Sequence, residues 1–424
     1  MAASSGPVTL TPALLGSFLP SAVLHNAGNG KLKAEQAQDR RCNKLSFSDD
    51  GMYLAGSFND RTVQVIRSSD GKPEAVYSFK ASGCQAVTFT HHSQFVLFAG
   101  RYDGTNSARA QGMLMYHSLY ENKVVRIFKG HVATVTDIAM RPGSDTFLTS
   151  SLDGTFRLWD VRSPNCAHTG MLAYPSPTLP DGSLNKYVEA ARGKKVTSGV
   201  LGRGSVGVDP SGQVFAVASP DHTVSLFDAR NAHAPFASRR IATREGGSRV
   251  ASSPHRPLHF QGLAFSADNR FLVAACEQHG CIVLDASPCE DPKDALPEVT
   301  VASTHGLAGS GCVMTPDSRF LVTGNEQGRV WAYDMHEMPL APTADELAAQ
   351  TFANVEYRQE LKKWTPTAYP LGAEASAISP PAGVSVDPKL TISELAKHSG
   401  PVTAVAMHPS CALIASADSS VALW

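Results

Sequence analysis

The sequence predicts an all-β fold assembled from seven copies of one short unit, and three observations carry that reading. First, short apolar strands recur along the chain as LSFS, AVTF, VTDIAM, VGVD, LAFS, VMT and TAVAM. Each is followed by a turn, SDDG, THHS, RPGS, DPSG, SADN, TPDS and HPSC, and most of these carry Pro, Gly, Asp or Asn, the residues that turns favour. Second, each turn leads into another strand: YLAGS, FVLFAG, TFLTSS, VFAVAS, FLVAAC, FLVTGN and LIASA. Third, a third strand closes on a large residue in the same column, filled in turn by Ile66, Tyr116, Trp159, Phe227, Leu284, Tyr333 and Trp424. Evenly spaced short strands of this kind build a seven-bladed β-propeller.

The clearest unit runs from Gly130 to Cys166, GHVATVTDIAMRPGSDTFLTSSLDGTFRLWDVRSPNC. Its Gly-His opening, its loop ending on Asp153 and its closing Trp159-Asp160 resemble the WD40 repeat. The spacing has a physical logic. His131 is placed to bridge the Asp153 carboxylate to a strand hydroxyl near Thr149 or Ser151, which in turn faces the Trp159 indole. Each polar group then satisfies another, and the loops are pinned without orphaned donors. The loop aspartate recurs as Asp60, Asp221 and Asp418. The acidic position after the aromatic column holds Asp160, Asp228, Asp285 and Asp334, but Arg67 and His117 in the first two units. These groups read as structural blade pins, not as a catalytic or metal set.

The last unit ends at Trp424 with its third strand, which leaves a sheet edge open to pairing. The stretch FLPSAVLH, Phe18 to His25, precedes the first blade and is expected to supply the missing outer strand of the last. The whole chain then reads as one domain, 1–424, with four insertions: 102–110, 173–203, 241–258 and 335–390. The last contains TADELAAQTFANVEYRQELKKW, which reads as a helix. Thr343 and Glu346 fit a capping box, and Lys362-Lys363 suit a helix C-terminus. Solvated padding is the plain alternative reading for all four insertions.

Composition excludes several classes. Lys plus Arg total 37 against 38 acids, so no global pull toward nucleic acid or an anionic membrane is indicated. The eight cysteines form no CxxC pair and read as reduced thiols of a cytosolic or nuclear protein. No apolar run reaches a membrane span. The apolar stretch Ala13 to Leu24 lacks the positive flank of a signal peptide, since no Lys or Arg precedes Lys31. GRGSVG, Gly202 to Gly207, matches GxGxxG but opens a strand where a phosphate loop would open a helix. No P-loop, HExxH, GxSxG or zinc-finger spacing occurs, so neither catalysis nor a cofactor is expected.

Local charge is less even than the total. In a propeller, outer-strand-to-next-blade loops and second-to-third-strand loops leave one face, and the first three insertions fall in them. They and their flanks carry Arg101, Arg109, Lys194, Lys195, Arg203, Arg239, Arg240, Arg249 and Arg256, with few acids. A basic face of this kind suits a phosphorylated or acidic partner, because guanidinium binds phosphate bidentately. The alternative is a set of solvated loops. The fourth insertion is expected on the opposite face, free for a scaffold partner.

The segment DTFLTSSLDGTFRLWDVRSPNC strongly resembles the WD-repeat subunit shared by COMPASS-type histone H3 lysine-4 methyltransferases and a nuclear protein phosphatase 1 complex. The yeast relative of that subunit is also linked to cleavage and polyadenylation. RSPNC, Arg162 to Cys166, is the most specific piece because it lies outside the generic repeat. DARNAHAPFAS, FTHHSQFVLFAG, TPDSRFLVTGNEQGRVWAYD and KHSGPVTAVAMHP support it. The insertions at Ala173, Ile241 and Met335 depart from the family pattern. The resemblance implies a nuclear adaptor in a heteromeric complex. It would tether methyltransferase or phosphatase scaffold subunits to RNA polymerase II by its phosphorylated tail, the chemistry belonging to the partner. Competing readings are a generic WD-repeat scaffold in ubiquitin ligation or RNA 3′-end processing, and a propeller enzyme.

Overall fold

The computed structural model describes residues 10–16, 18, 20–24, 40–101, 112–174, 202–241, 257–277, 280–287, 296, 298–299, 311–336, 339, 356–357, 359–361, 364, 366–371 and 398–424. Seven four-stranded antiparallel sheets make seven blades, and within blades 1 to 6 the strands pair in chain order. The innermost strands are Cys42–Phe47, Ala86–Phe89, Val135–Met140, Ser205–Val208, Phe260–Phe265, Cys312–Met314 and Ala404–Met407. Each touches the next around the ring, and the last touches the first.

The core is radial. One hydrophobic cluster fills the space between each pair of neighbouring blades. Blades 3 and 4, for example, meet through Leu148, Phe156, Phe215 and Phe227. Blades 7 and 1 close the ring through Ala415, Leu423, Leu54, Phe58 and Ile66. The sequence column that ends each third strand supplies these contacts: Ile66, Trp159, Phe227, Leu284, Tyr333 and Trp424 are all buried, and Tyr116 is half-buried.

Closure follows the sequence expectation. Ala22–Leu24 pairs antiparallel with Val421–Leu423 as the outer strand of blade 7. The short helix Pro12–Gly16 precedes it, and Leu10 and Leu15 are buried with Phe320, Val322, Ile414 and Trp424. The N-terminal segment is therefore core material for blades 6 and 7 as well as an edge.

The segment 335–390 is not one insertion. It contains the outer strand of blade 6, Thr367–Pro370, paired with Trp331–Asp334. A four-residue strand ending in Pro carries no period-2 signal, so the sequence pattern passes over it. Residues 356, 357 and 359–361 are helical, as the sequence suggests, while Thr343, Glu346, Lys362 and Lys363 lie outside the described residues. This turn is docked rather than presented: Tyr357 and Leu361 are buried with Phe271, Val283 and Met335. The Tyr357 hydroxyl donates to the buried Asp285 carboxylate of blade 5. Arg270 reaches the Pro339 carbonyl at 2.6 Å.

Candidate channel-mouth site

The loops that join second to third strands, and outer strands to the next blade, converge on one face around the central channel. Their geometry is set by the blade pins. In blade 3, the Trp159 Nε1–H donates to Thr149 Oγ1 at 2.9 Å, and His131 Nε2 lies 2.7 Å from the same hydroxyl. His131 Nδ1 lies 2.8 Å from Asp153 Oδ2. A single assignment satisfies every group: indole to hydroxyl, hydroxyl to Nε2, and Nδ1–H to carboxylate. Burial lowers the His131 pKa and keeps the ring neutral although Asp153 opposes this. Burial also works against the Asp153 carboxylate, but hydrogen bonds from His131, Thr155 and the Val132 amide prevail and hold it down at about 2.

Blade 7 repeats the arrangement, adding His398 and Ser416, which the sequence pattern did not single out, to Asp418 and Trp424, which it did. His398 contacts Ser416 Oγ at 2.6 Å and Asp418 at 3.2 Å, and the Trp424 indole donates to Ser416 at 2.7 Å. Blade 1 departs from it. Asp60 accepts from Arg40 Nε at 2.7 Å, and the Arg40 guanidinium lies 3.6 Å from the centre of the Phe58 ring. Asp221 has no histidine partner among the described residues and accepts from Thr223. All four loop aspartates accept the backbone N–H two residues on: Thr62, Thr155, Thr223 and Ser420. This Asx turn is the shared device that shapes the face. Gly154, directly after Asp153, completes the turn at φ 84°, where a side chain would be strained.

Within this frame the channel opens as a cavity of about 740 Å³. Arg41, Asn43 and Asn59 line it from blade 1, and Gln85 and Arg101 from blade 2. Arg203 lines it beside blade 4, Gln261 and Glu277 from blade 5, and Glu326 from blade 6. Asn43 ties two blades together. Its amide donates to the Cys84 carbonyl at 2.9 Å and its oxygen accepts from Arg101 Nη1 at 3.3 Å. Arg203 is held by backbone pairing across to blade 5, where Leu258 accepts its N–H and Phe260 donates to its carbonyl, each at 3.0 Å. Cys42 also lines the mouth, but burial pushes its thiol up to about 12, far from a thiolate nucleophile at neutral pH. Below the mouth, a smaller chamber shares Asn43, Gln261 and Thr403 with it. Lys44 of blade 1 pairs there with Asp137 of blade 3, and Asp137 also accepts from Ser205 of blade 4.

The residues proposed from sequence as a basic face divide into three groups. Arg101 and Arg203 come together at the channel mouth. Arg239 and Arg240 sit at the end of the outer strand of blade 4, on the rim of the same face. Arg109, Lys194, Lys195, Arg249 and Arg256 lie outside the described residues. Sequence reasoning missed Arg41 and, above all, Glu277 and Glu326, which lie outside the four insertions. Among the described residues no group of three or more His, Cys, Asp or Glu is placed to hold a metal. The seven described cysteines are free thiols, and no described helix is long and apolar enough to cross a membrane.

Comparison with known proteins agrees with this architecture. A family model described as WD domain, G-beta repeat, matches residues 122–160 and 389–424. These segments contain the three inner strands of the third and seventh blades, the two that hold the complete His–Asp–hydroxyl–Trp set among the described residues. The chain is 27% identical over 308 residues to the Set1 complex component swd2 of Schizosaccharomyces pombe, covering 72% of this chain and 73% of the relative. It is 24% identical to WD repeat-containing protein 82 of Drosophila melanogaster, over 68% and 76% of the two chains. It is 23% identical to the COMPASS component SWD2 of Saccharomyces cerevisiae, over 70% and 78%.

Proposed function

We propose that this chain, a seven-bladed WD-repeat propeller similar to subunits of Set1 and COMPASS complexes, is a non-catalytic adaptor of a nuclear histone methyltransferase complex. One observation carries the reading: the similarity to those subunits runs through most of both chains rather than through one generic repeat. The architecture supports it. Conserving polar pins inside blades while opening a wide polar mouth is how a propeller offers a rigid surface to partners. The methyl transfer belongs to the partner subunit.

The finer part of the proposal concerns RNA polymerase II. Arg101 and Arg203 at the mouth, with Arg239 and Arg240 on the rim, support reading of a phosphorylated polymerase tail. Shared membership in a protein phosphatase 1 complex that acts in transcription termination is proposed on the resemblance alone.

Affinity purification from native cells with mass spectrometry tests the adaptor reading. Methyltransferase subunits are expected in the eluate. Recovery of no methyltransferase, phosphatase or polyadenylation factor would sink it. Phosphorylated and unphosphorylated polymerase-tail peptides test the finer part. Binding is expected to require phosphate and to weaken with salt, and equal binding of the two peptides would end it.

A further inference from the structure

We propose that the channel mouth is a two-signed site. It takes an extended peptide segment that carries both an anionic group, phosphate or carboxylate, and a cationic side chain. The inference rests on the proposed docking role of this face and names the class of peptide docked.

Arg41 and Arg101 belong to blades 1 and 2, while Glu277 and Glu326 belong to blades 5 and 6, across the ring. Blades packed on continuous apolar interfaces do not let the two sides collapse onto each other, so Arg41 and Arg101 stay separated from Glu277 and Glu326 by a cavity of about 740 Å³, while Arg203 sits beside Glu277 on the blade 5 side. Arg101 is aimed by Asn43 at the inner edge of blade 1. Glu277 is anchored by its own N–H to the His259 carbonyl at 2.9 Å. A purely anionic segment that fills the mouth meets two carboxylates, and a purely cationic one meets the arginines. Like-charge juxtaposition of this kind is a specificity device. The space between the charged sides is lined by amides, Asn59, Gln85 and Gln261 among them, which suit peptide backbone. The channel is crossed below by Lys44, whose ammonium reaches Asp137 and the Ile138 carbonyl of blade 3.

The test is fluorescence anisotropy with four kinds of short labelled peptide on one neutral backbone. The first carries phosphoserine and arginine a few residues apart, made in several spacings; the second carries phosphoserine only; the third arginine only; the fourth neither. The mixed peptide is expected to bind about tenfold tighter than either singly charged peptide. Arg41→Ala with Arg101→Ala should abolish the gain from phosphate. Glu277→Gln with Glu326→Gln should abolish the gain from arginine and also strengthen binding of the phosphoserine-only peptide. Glu326→Gln alone, at an exposed position, should move the same way to a smaller extent. Thermal melts of the variants confirm folding. If the phosphoserine-only peptide matches the mixed one and the glutamine variants change nothing, the mouth is a plain anion site. The two-signed reading then falls while the phosphate-reading adaptor stands. Failure of every peptide to bind would overturn the inference outright, whatever complexes the purification recovers.

Discussion

Thr149 is the hub of the blade 3 pin, and Thr149→Val removes the hub with almost no change of shape. The valine neither accepts from the Trp159 indole N–H nor donates to His131 Nε2, the two contacts of 2.9 and 2.7 Å. Trp159 is fully enclosed and His131 is 7% exposed, so water does not replace the lost partner. An orphaned buried polar group costs about 1–3 kcal/mol, so two of them should cost about 2–6 kcal/mol in all. The companion change Trp159→Phe removes the indole donor and leaves a cavity. In the Thr149→Val background it should cost about 1 kcal/mol less than in wild type, because there the indole N–H is already an orphan. Urea unfolding followed by circular dichroism reads the four midpoints of this double-mutant cycle. A Thr149→Val cost within about 0.5 kcal/mol of zero, or strict additivity across the cycle, would refute the relay from indole to hydroxyl to imidazole to carboxylate.

Three further outcomes are expected. Deleting residues 1–24 removes the outer strand of blade 7 and the buried Leu10 and Leu15, so the protein should aggregate; a monomer with an unchanged melt on gel filtration and calorimetry would contradict the closure. Folding lowers the His131 pKa, so the unfolded chain takes up the proton first, and stability should fall as pH drops below about 6.5. Asp153, held down at about 2, adds a second loss between about pH 4 and 2. Melts across this range should show the first decline blunted in His131→Asn, and an identical profile would count against a neutral buried imidazole. Tyr357→Phe strips a donor from the buried Asp285 carboxylate and should cost about 1–3 kcal/mol in a thermal or urea melt, whereas no change would mean that the docked turn contributes nothing.

Much of the fold is legible in the sequence because a blade is a local object. Its strands are neighbours in the chain, its turns announce themselves by Gly, Pro, Asp and Asn, and its buried column recurs at a fixed place in each unit. The blade 3 pin is legible for the same reason: His131, Thr149, Asp153 and Trp159 lie within one repeat. The seventh-blade pin was half visible, through Asp418 and Trp424, while His398 stood hidden beside a long insertion. Closure by the N-terminal strand follows from arithmetic, since one strand was missing at one end and one apolar segment was unused at the other.

What the tertiary structure decided lies between blades. Arg40 takes the place of histidine at Asp60, an exchange visible only when the side chain is seen over Phe58. Lys44 and Asp137 are 93 positions apart and meet only because the ring brings blades 1 and 3 around one channel. Tyr357 sits in a segment that reads as a free helix, yet its hydroxyl is committed to blade 5. The charge division of the mouth is the strongest case. Counting arginines along insertions points to a basic face, but the described residues that reach the channel come from the strand ends of several blades, and Arg41, Glu277 and Glu326 among them lie outside the insertions. Composition along a chain sums charge over neighbours in sequence. A propeller instead samples a few residues from each repeat and sets them side by side, so the sign of its central surface belongs to the ring and not to any stretch of the chain.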